Sequence, residues 1–138
     1  MNRRPFELEE WYHCFNRGVE KRTVFESELD ANRFLILLYL ANGIEAIDLF
    51  NERKPSLEKA FQVDRGSPIV AIGAYCLMPN HFHLLLKETS EGGITLFMKK
   101  VGIAYAMYFN SKNERAGNLF MKPFRSRHVS TDRYFQRV

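Results

Sequence analysis

Apolar residues along this chain either alternate with polar neighbours or run unbroken, and the switches between the two patterns predict its elements. Trp11-Tyr12-His13-Cys14-Phe15 reads as a first strand, with Tyr12 and Cys14 on one face and Trp11, His13 and Phe15 on the other; Asn16-Arg17-Gly18 ends it in a turn. Ser27 or Asp30 can cap a helix that passes through the apolar run Phe34 to Ala41 and stops near Asn42-Gly43, which has the composition of a left-handed C-terminal cap. Residues 44–67 read as an elaborated connection, with short helices expected over Ile44 to Phe50 and from Ser56 to Phe61. The unbroken apolar run from Ile69 to Met78 has the character of a central strand, Pro79-Asn80 supplies a reversal, and His81 to Lys87 forms the next strand. A second helix follows Gly92-Gly93, with Ile94, Phe97, Val101, Ala104, Tyr105 and Tyr108 on one face and Lys99 and Lys100 off it, toward solvent.

Residues 110–117 form a polar loop, after which Leu119 to Val129 is extended, with Pro123 confining that part to an edge or a bulge. In a regular strand Phe124, Ser126 and His128 share one face, and Arg125, Arg127 and Val129 share the other. Ser130-Thr131-Asp132 then caps a final helix that reaches Val138. Strand, helix, strand, strand, helix, strand is a ferredoxin-like order, so the expected class is α+β: one antiparallel sheet with helices packed on one face.

The length of 138 residues and 46% hydrophobic content fit a single globular domain. No apolar run approaches the ~20 residues of a membrane span, and the N-terminus lacks the apolar core of a signal peptide, so a cytoplasmic protein with no membrane partner is expected. Cys14 and Cys76 both lie in apolar strands, where buried free thiols are expected. Charge changes the picture more. Residues 1–93 carry eleven basic and fourteen acidic side chains; from Ile94 onward there are nine basic residues against Glu114 and Asp132. That asymmetry points to a polyanion partner for the C-terminal third, with a solvated basic helix face as the plainer alternative. Lys99, Lys100, Lys122, Arg125 and Arg127 are the leading candidates for nucleic-acid contacts. Phe124 could stack on a base or belong to the core.

The stretch richest in candidate chemistry is Met78-Pro79-Asn80-His81-Phe82-His83-Leu84-Leu85-Leu86. Period-two alternation puts His81 and His83 on one face and Phe82, Leu84 and Leu86 on the other. Two imidazoles so held can take adjacent positions on a divalent ion if a third ligand arrives from elsewhere. His13, taken by itself, reads as a packed strand residue, although it is the one local candidate for a general base if water were the attacking group.

These motifs resemble the single-tyrosine HUH transposases, in particular those associated with repetitive extragenic palindromes (REPs). The resemblance rests on His13 to Gly18, Ala74 to Leu86, Tyr105 to Asn110, Gly117 to Val129 and the helix start at Asp132. It implies that His81 and His83 hold Mg2+ or Mn2+ against a scissile phosphate of single-stranded or hairpin DNA, with Asn16 and Arg17 nearby. It also implies a tyrosine nucleophile on the last helix, forming a 5′-phosphotyrosine, and an asparagine four residues on that completes the metal site. Relatives act as monomers or as homodimers. Tyr134 is the one tyrosine in the matching element, but the matched register sets the family's tyrosine about three residues beyond Val138, roughly two turns later than Tyr134. The expectation is therefore one HUH domain over residues 1–138, cut short within its tyrosine helix, that binds DNA without cleaving it; the alternative is a degenerate or domesticated DNA-binding module.

Overall fold

The computed structural model describes residues 6–44 and 57–130. In chain order they form β1 (Trp11–Arg17), a 3-10 turn (Val19–Lys21), α1 (Glu28–Leu40), α2 (Leu57–Phe61), β2 (Ala71–Met78), β3 (His81–Lys87), α3 (Gly93–Lys112) and β4 (Arg125–Val129). The strands make one antiparallel sheet in the order β2-β3-β1-β4. This is the expected ferredoxin-like arrangement: β3 lies between β1 and β2, and β1 lies between β3 and β4.

One face of the sheet carries the core. Tyr12 and Cys14 of β1 and Phe82, Leu84 and Leu86 of β3 are buried against Phe34 and Leu37 of α1 and against Ile94, Phe97, Val101 and Tyr105 of α3. Both helices therefore cover the face that alternation marked as apolar, and each fully buried side chain stabilises the fold by about 1.5–3 kcal/mol. Ile36 and Leu40 turn instead toward Ala60, making a small second cluster under α2.

Four expectations are corrected. First, β2 is an edge strand, and Cys76 is exposed while Cys14 is buried. The cause is a bulge: Ile72 pairs with Leu86 but Ala74 with Leu85, so one residue is inserted and the later side chains exchange faces. Gly73 at this bulge admits Trp11, whose ring would lie 2.8 Å from a Cβ placed there. Second, Gly43 is not a left-handed cap; the turn after α1 is right-handed at Ala41, and Gly43 is needed because the Arg65 carbonyl leaves no space for a Cβ. Third, Asn42 is buried and serves residues distant in sequence: its Oδ1 accepts from the Ile69 and Val70 amides and its Nδ2 donates to the Val70 carbonyl. Fourth, Lys100 is not turned to open solvent, since its Nζ donates to the Gly43 carbonyl. The helix expected over Ile44 to Phe50 falls almost wholly outside the described residues, as does the terminal helix from Asp132.

Two buried carboxylates fix the helices. Glu88 accepts from the Gly92 and Ile94 amides, capping α3 where Gly92 offers no side chain of its own. Asp30, 0% exposed, accepts from Tyr108, from Lys112 and from the Glu26 amide, tying α1 to α3. Burial by itself would raise the Asp30 carboxyl, but the Lys112 and Tyr108 hydrogen bonds and the Glu26 amide outweigh it and hold the group below its ordinary value of 3.8. A depressed carboxylate contributes stability that is complete above the ordinary value and is lost as pH falls through the folded one. Asp30→Ala is expected to cost roughly 3 kcal/mol in urea unfolding, the low end of the range for a broken buried pair because Lys112 can turn to solvent. Asp30→Asn should flatten the acid limb of stability below pH 3.8; an unchanged limb would show that the pair does not couple to folding.

Candidate metal and nucleic-acid face

The second face of the sheet is left uncovered by the helices, and strand register determines which side chains meet there. Residues directly opposite in an antiparallel pair project to the same side. On β1, Arg17 is opposite His81, Phe15 opposite His83 and His13 opposite Leu85. On β2, Met78 is opposite His81 and Cys76 opposite His83. On β4, Arg125 is opposite Phe15 and Arg127 opposite His13. Three histidines, three arginines, one phenylalanine and one thiol from four strands are thus gathered on one face.

Around the histidines the contacts are specific. His81 Nδ1 lies 2.7 Å from Asn80 Oδ1, an acceptor, so the proton sits on His81 Nδ1 and the Nε2 lone pair is left for another group. His83 Nδ1 lies 2.8 Å from His13 Nε2. The His81 and His83 ring centroids are 5.1 Å apart with nearly perpendicular planes. Phe15 stacks beside His83 at 5.6 Å and contacts His13 at 5.0 Å, closing one side of the pair. Burial, then His83 and then Arg127 hold His13 below its ordinary range; burial and then His81 do the same to His83. Both rings are therefore neutral near pH 7, the form that ligates metals and that lets one ring donate to the other.

The hairpin turn before His81 is itself clamped. The Gly18 amide donates to the Asn80 carbonyl, and the Val24 and Phe25 amides donate to the Pro79 carbonyl. Between these contacts Glu20 and Lys21 occupy left-handed backbone, at φ 56° and 57°, a conformation that non-glycine residues adopt at a cost.

The residues proposed from sequence separate by face. His81, His83, Arg17, Arg125 and Arg127 come together on the open face, and exposed Lys122 lies in the segment leading into β4. Asn16 is in register with Phe82 and so belongs to the other side; its Nδ2 donates to the Met121 carbonyl, and its Oδ1 accepts from the Arg17 amide. Lys99 and Lys100 are on α3, behind the sheet. Phe124 packs at the core margin, its ring parallel to Phe6 at 6.3 Å, as in the core reading. Tyr134 lies outside the described residues. Sequence reasoning passed over Phe15, Asn80 and Cys76, and it took His13 as a packed strand residue. Alternation had already set His13 on the side of Trp11 and Phe15, and adjacency of β1 and β3 was the missing step.

A divalent ion finds a partial donor set here: two imidazoles with both Nδ1 atoms engaged by other side chains. Among the described residues no third His, Cys, Asp or Glu joins them in a metal-holding cluster. Mg2+ and Mn2+ characteristically complete their shells with water and phosphate oxygens, so two protein donors are compatible with either.

The fold and this face define an α+β domain whose sheet is covered by helices on one side and carries paired histidines among arginines on the other. The family profile described as "Transposase IS200 like" matches residues 9–137, and the chain belongs to that family. No curated protein sequence matches it. Among solved structures, a REP-associated tyrosine transposase bound to a REP hairpin is similar with TM-score 0.54 and 13% identity, over 99% of this chain and 66% of its own. A protein from Deinococcus radiodurans R1 designated a transposase is similar with TM-score 0.55 and 20% identity, over 99% of this chain and 91% of its own. The chain thus spans just under two thirds of the REP-associated protein, and at these identities the likeness shows the fold. No helix among the described residues is long and apolar enough to cross a membrane.

The bulge in β2 makes a prediction independent of any activity. In the native protein a thiol reagent should modify one cysteine rapidly, and Cys76→Ser should abolish that reaction while Cys14 stays protected until unfolding. Rapid modification of both cysteines, or of neither, would contradict the placement of β2.

Proposed function

We propose that the open face binds single-stranded or hairpin DNA and that His81 and His83 hold Mg2+ or Mn2+ for phosphodiester transfer by a tyrosine transposase of the HUH type. The observation carrying this reading is the pair of imidazoles, each engaged through Nδ1, set among Arg17, Arg125 and Arg127 on one exposed face. Arg17, beside His81, would fix a phosphate near the ion, while Arg125 and Arg127 on β4 would track the neighbouring backbone. A bound ion would polarise the phosphoryl oxygens. Phe15 packs against His83 and His13 on one side of the pair, and burial followed by His81 holds His83 below its ordinary range.

In the cleavage reading a tyrosine hydroxyl attacks phosphorus, the bond to the 3′ oxygen breaks, and that oxygen leaves as a 3′-hydroxyl after taking up a proton. The 5′ side remains linked to the tyrosine, so the strand can be rejoined without an external energy source. The other reading is DNA binding without cleavage, as in a degenerate or domesticated member. The family relation also brings a homodimer into consideration as the binding unit.

Binding of a hairpin oligonucleotide at several salt concentrations tests the DNA face. Arg125→Ala and Arg127→Ala should each weaken binding about tenfold and lower the salt slope by about 0.7, as expected for one lost phosphate contact on a single strand. Lys99→Ala, behind the sheet, should leave affinity unchanged; a larger loss there than at Arg127 would move the DNA to the helical side. Incubation of the same hairpin with Mn2+ separates the two readings. Tyr134→Phe should leave DNA binding and any covalent adduct unaltered, and loss of an adduct in that variant would instead make Tyr134 the nucleophile.

A further inference from the structure

We infer that His13 is a positioning residue for the metal site, accepting the Nδ1–H of His83 on its own Nε2 and so fixing the tautomer in which His83 Nε2 faces the ion. Its purpose rests on the metal reading above; its geometry does not. The two nitrogens are 2.8 Å apart, close enough that one must donate and the other accept. If His13 donated, His83 would carry its remaining proton on Nε2, and that nitrogen could not ligate a metal. If His83 donates, Nε2 is left with its lone pair.

Comparison with the other histidine favours the second arrangement. At His81 the Nδ1 partner is Asn80 Oδ1, which can only accept, so His81 is held as the Nδ1-protonated tautomer. With His13 accepting, both histidines of β3 take the same tautomer and present Nε2 together. His13 and Asn80 then do the same task from different elements, one from the neighbouring strand and one from the hairpin turn. An acceptor that takes the second ring N–H of a ligating imidazole and so fixes its tautomer is the usual second layer of a metal site.

The choice of a histidine as acceptor has a physical reason. Metal-bound histidines are more often held by a carboxylate, but a carboxylate here would place negative charge beside Arg127 and among the phosphates that the face is proposed to bind. A neutral ring accepts the hydrogen bond and leaves the positive potential of Arg17, Arg125 and Arg127 undiminished. Phe15 supports the geometry by packing on both His13 and His83, limiting the rotation of either ring. Because His13 Nε2 is occupied by this bond, His13 acts through His83 and does not itself ligate the ion by that nitrogen.

The test uses the whole chain with 15N-labelled histidine, free of metal and at a pH well above the imidazole range, where long-range proton–nitrogen correlation distinguishes the two neutral tautomers. His83 should be Nδ1-protonated in the wild type. In His13→Phe it should revert to the Nε2-protonated form that histidine prefers in water, with His81 unchanged. His13→Gln, whose Oε1 can accept, should restore the Nδ1-protonated form. Mn2+ affinity by electron paramagnetic resonance should fall roughly 10–100-fold in His13→Phe and recover in His13→Gln. A wild-type His83 protonated on Nε2, or a tautomer indifferent to His13→Phe, overturns the inference. If His13→Phe fails to fold, the wild-type and His13→Gln spectra decide it. The expected tautomers without Mn2+ binding would uphold the hydrogen-bond assignment and overturn the metal reading.

Discussion

The antiparallel register between β1 and β3 is the constraint on which the rest depends. It sets Cys14 opposite Leu84 and, one residue along, Phe15 opposite His83. Because side chains alternate, a slip of a single residue would turn Leu84 and Leu86 to water and drive the histidines into the helices. Several buried side chains resist that slip together, at about 1.5–3 kcal/mol each. The hydrophobic effect on the covered face thus holds the polar residues of the other face in place, although it acts on none of them directly.

Three buried polar groups supply what apolar packing cannot. Asn42 satisfies the backbone just ahead of β2, Glu88 fixes the start of α3 immediately after β3, and Asp30 joins α1 to the far end of α3. Each lies where the chain passes between helix and sheet or where two helices meet. Non-directional burial leaves the angle of such junctions free, whereas a hydrogen-bonded carboxylate or amide admits only a narrow range.

Much of this was legible in the sequence. Alternation assigned the faces of β1, β3 and β4, and the order of elements gave the sheet topology. The failures have distinct causes. An unbroken apolar run has no alternation to mark a bulge, so the change of face at Gly73, the edge position of β2 and the exposure of Cys76 left no trace in it. Asn42-Gly43 carries the local composition of a helix cap, but partners at residues 65, 69 and 70 decide its conformation. Lys100 lies off the apolar stripe of its helix, yet α1 ends close enough for the Gly43 carbonyl to draw its ammonium inward. The pairing of His13 with His83 spans 70 residues of sequence and becomes visible only once β1 and β3 are neighbours.

The division between the two faces has a consequence for how such a chain can change over generations. Nearly all of the large buried side chains lie on the helical side, while the arginines are exposed and the histidines are half-buried at the surface of the other. Substitutions among those polar residues remove little of the packing that keeps the polypeptide folded. A lineage can therefore lose a ligand or an arginine, retain a folded domain, and be selected afterwards for whatever its remaining surface grips. In an architecture of this kind the scaffold outlasts the chemistry it once positioned.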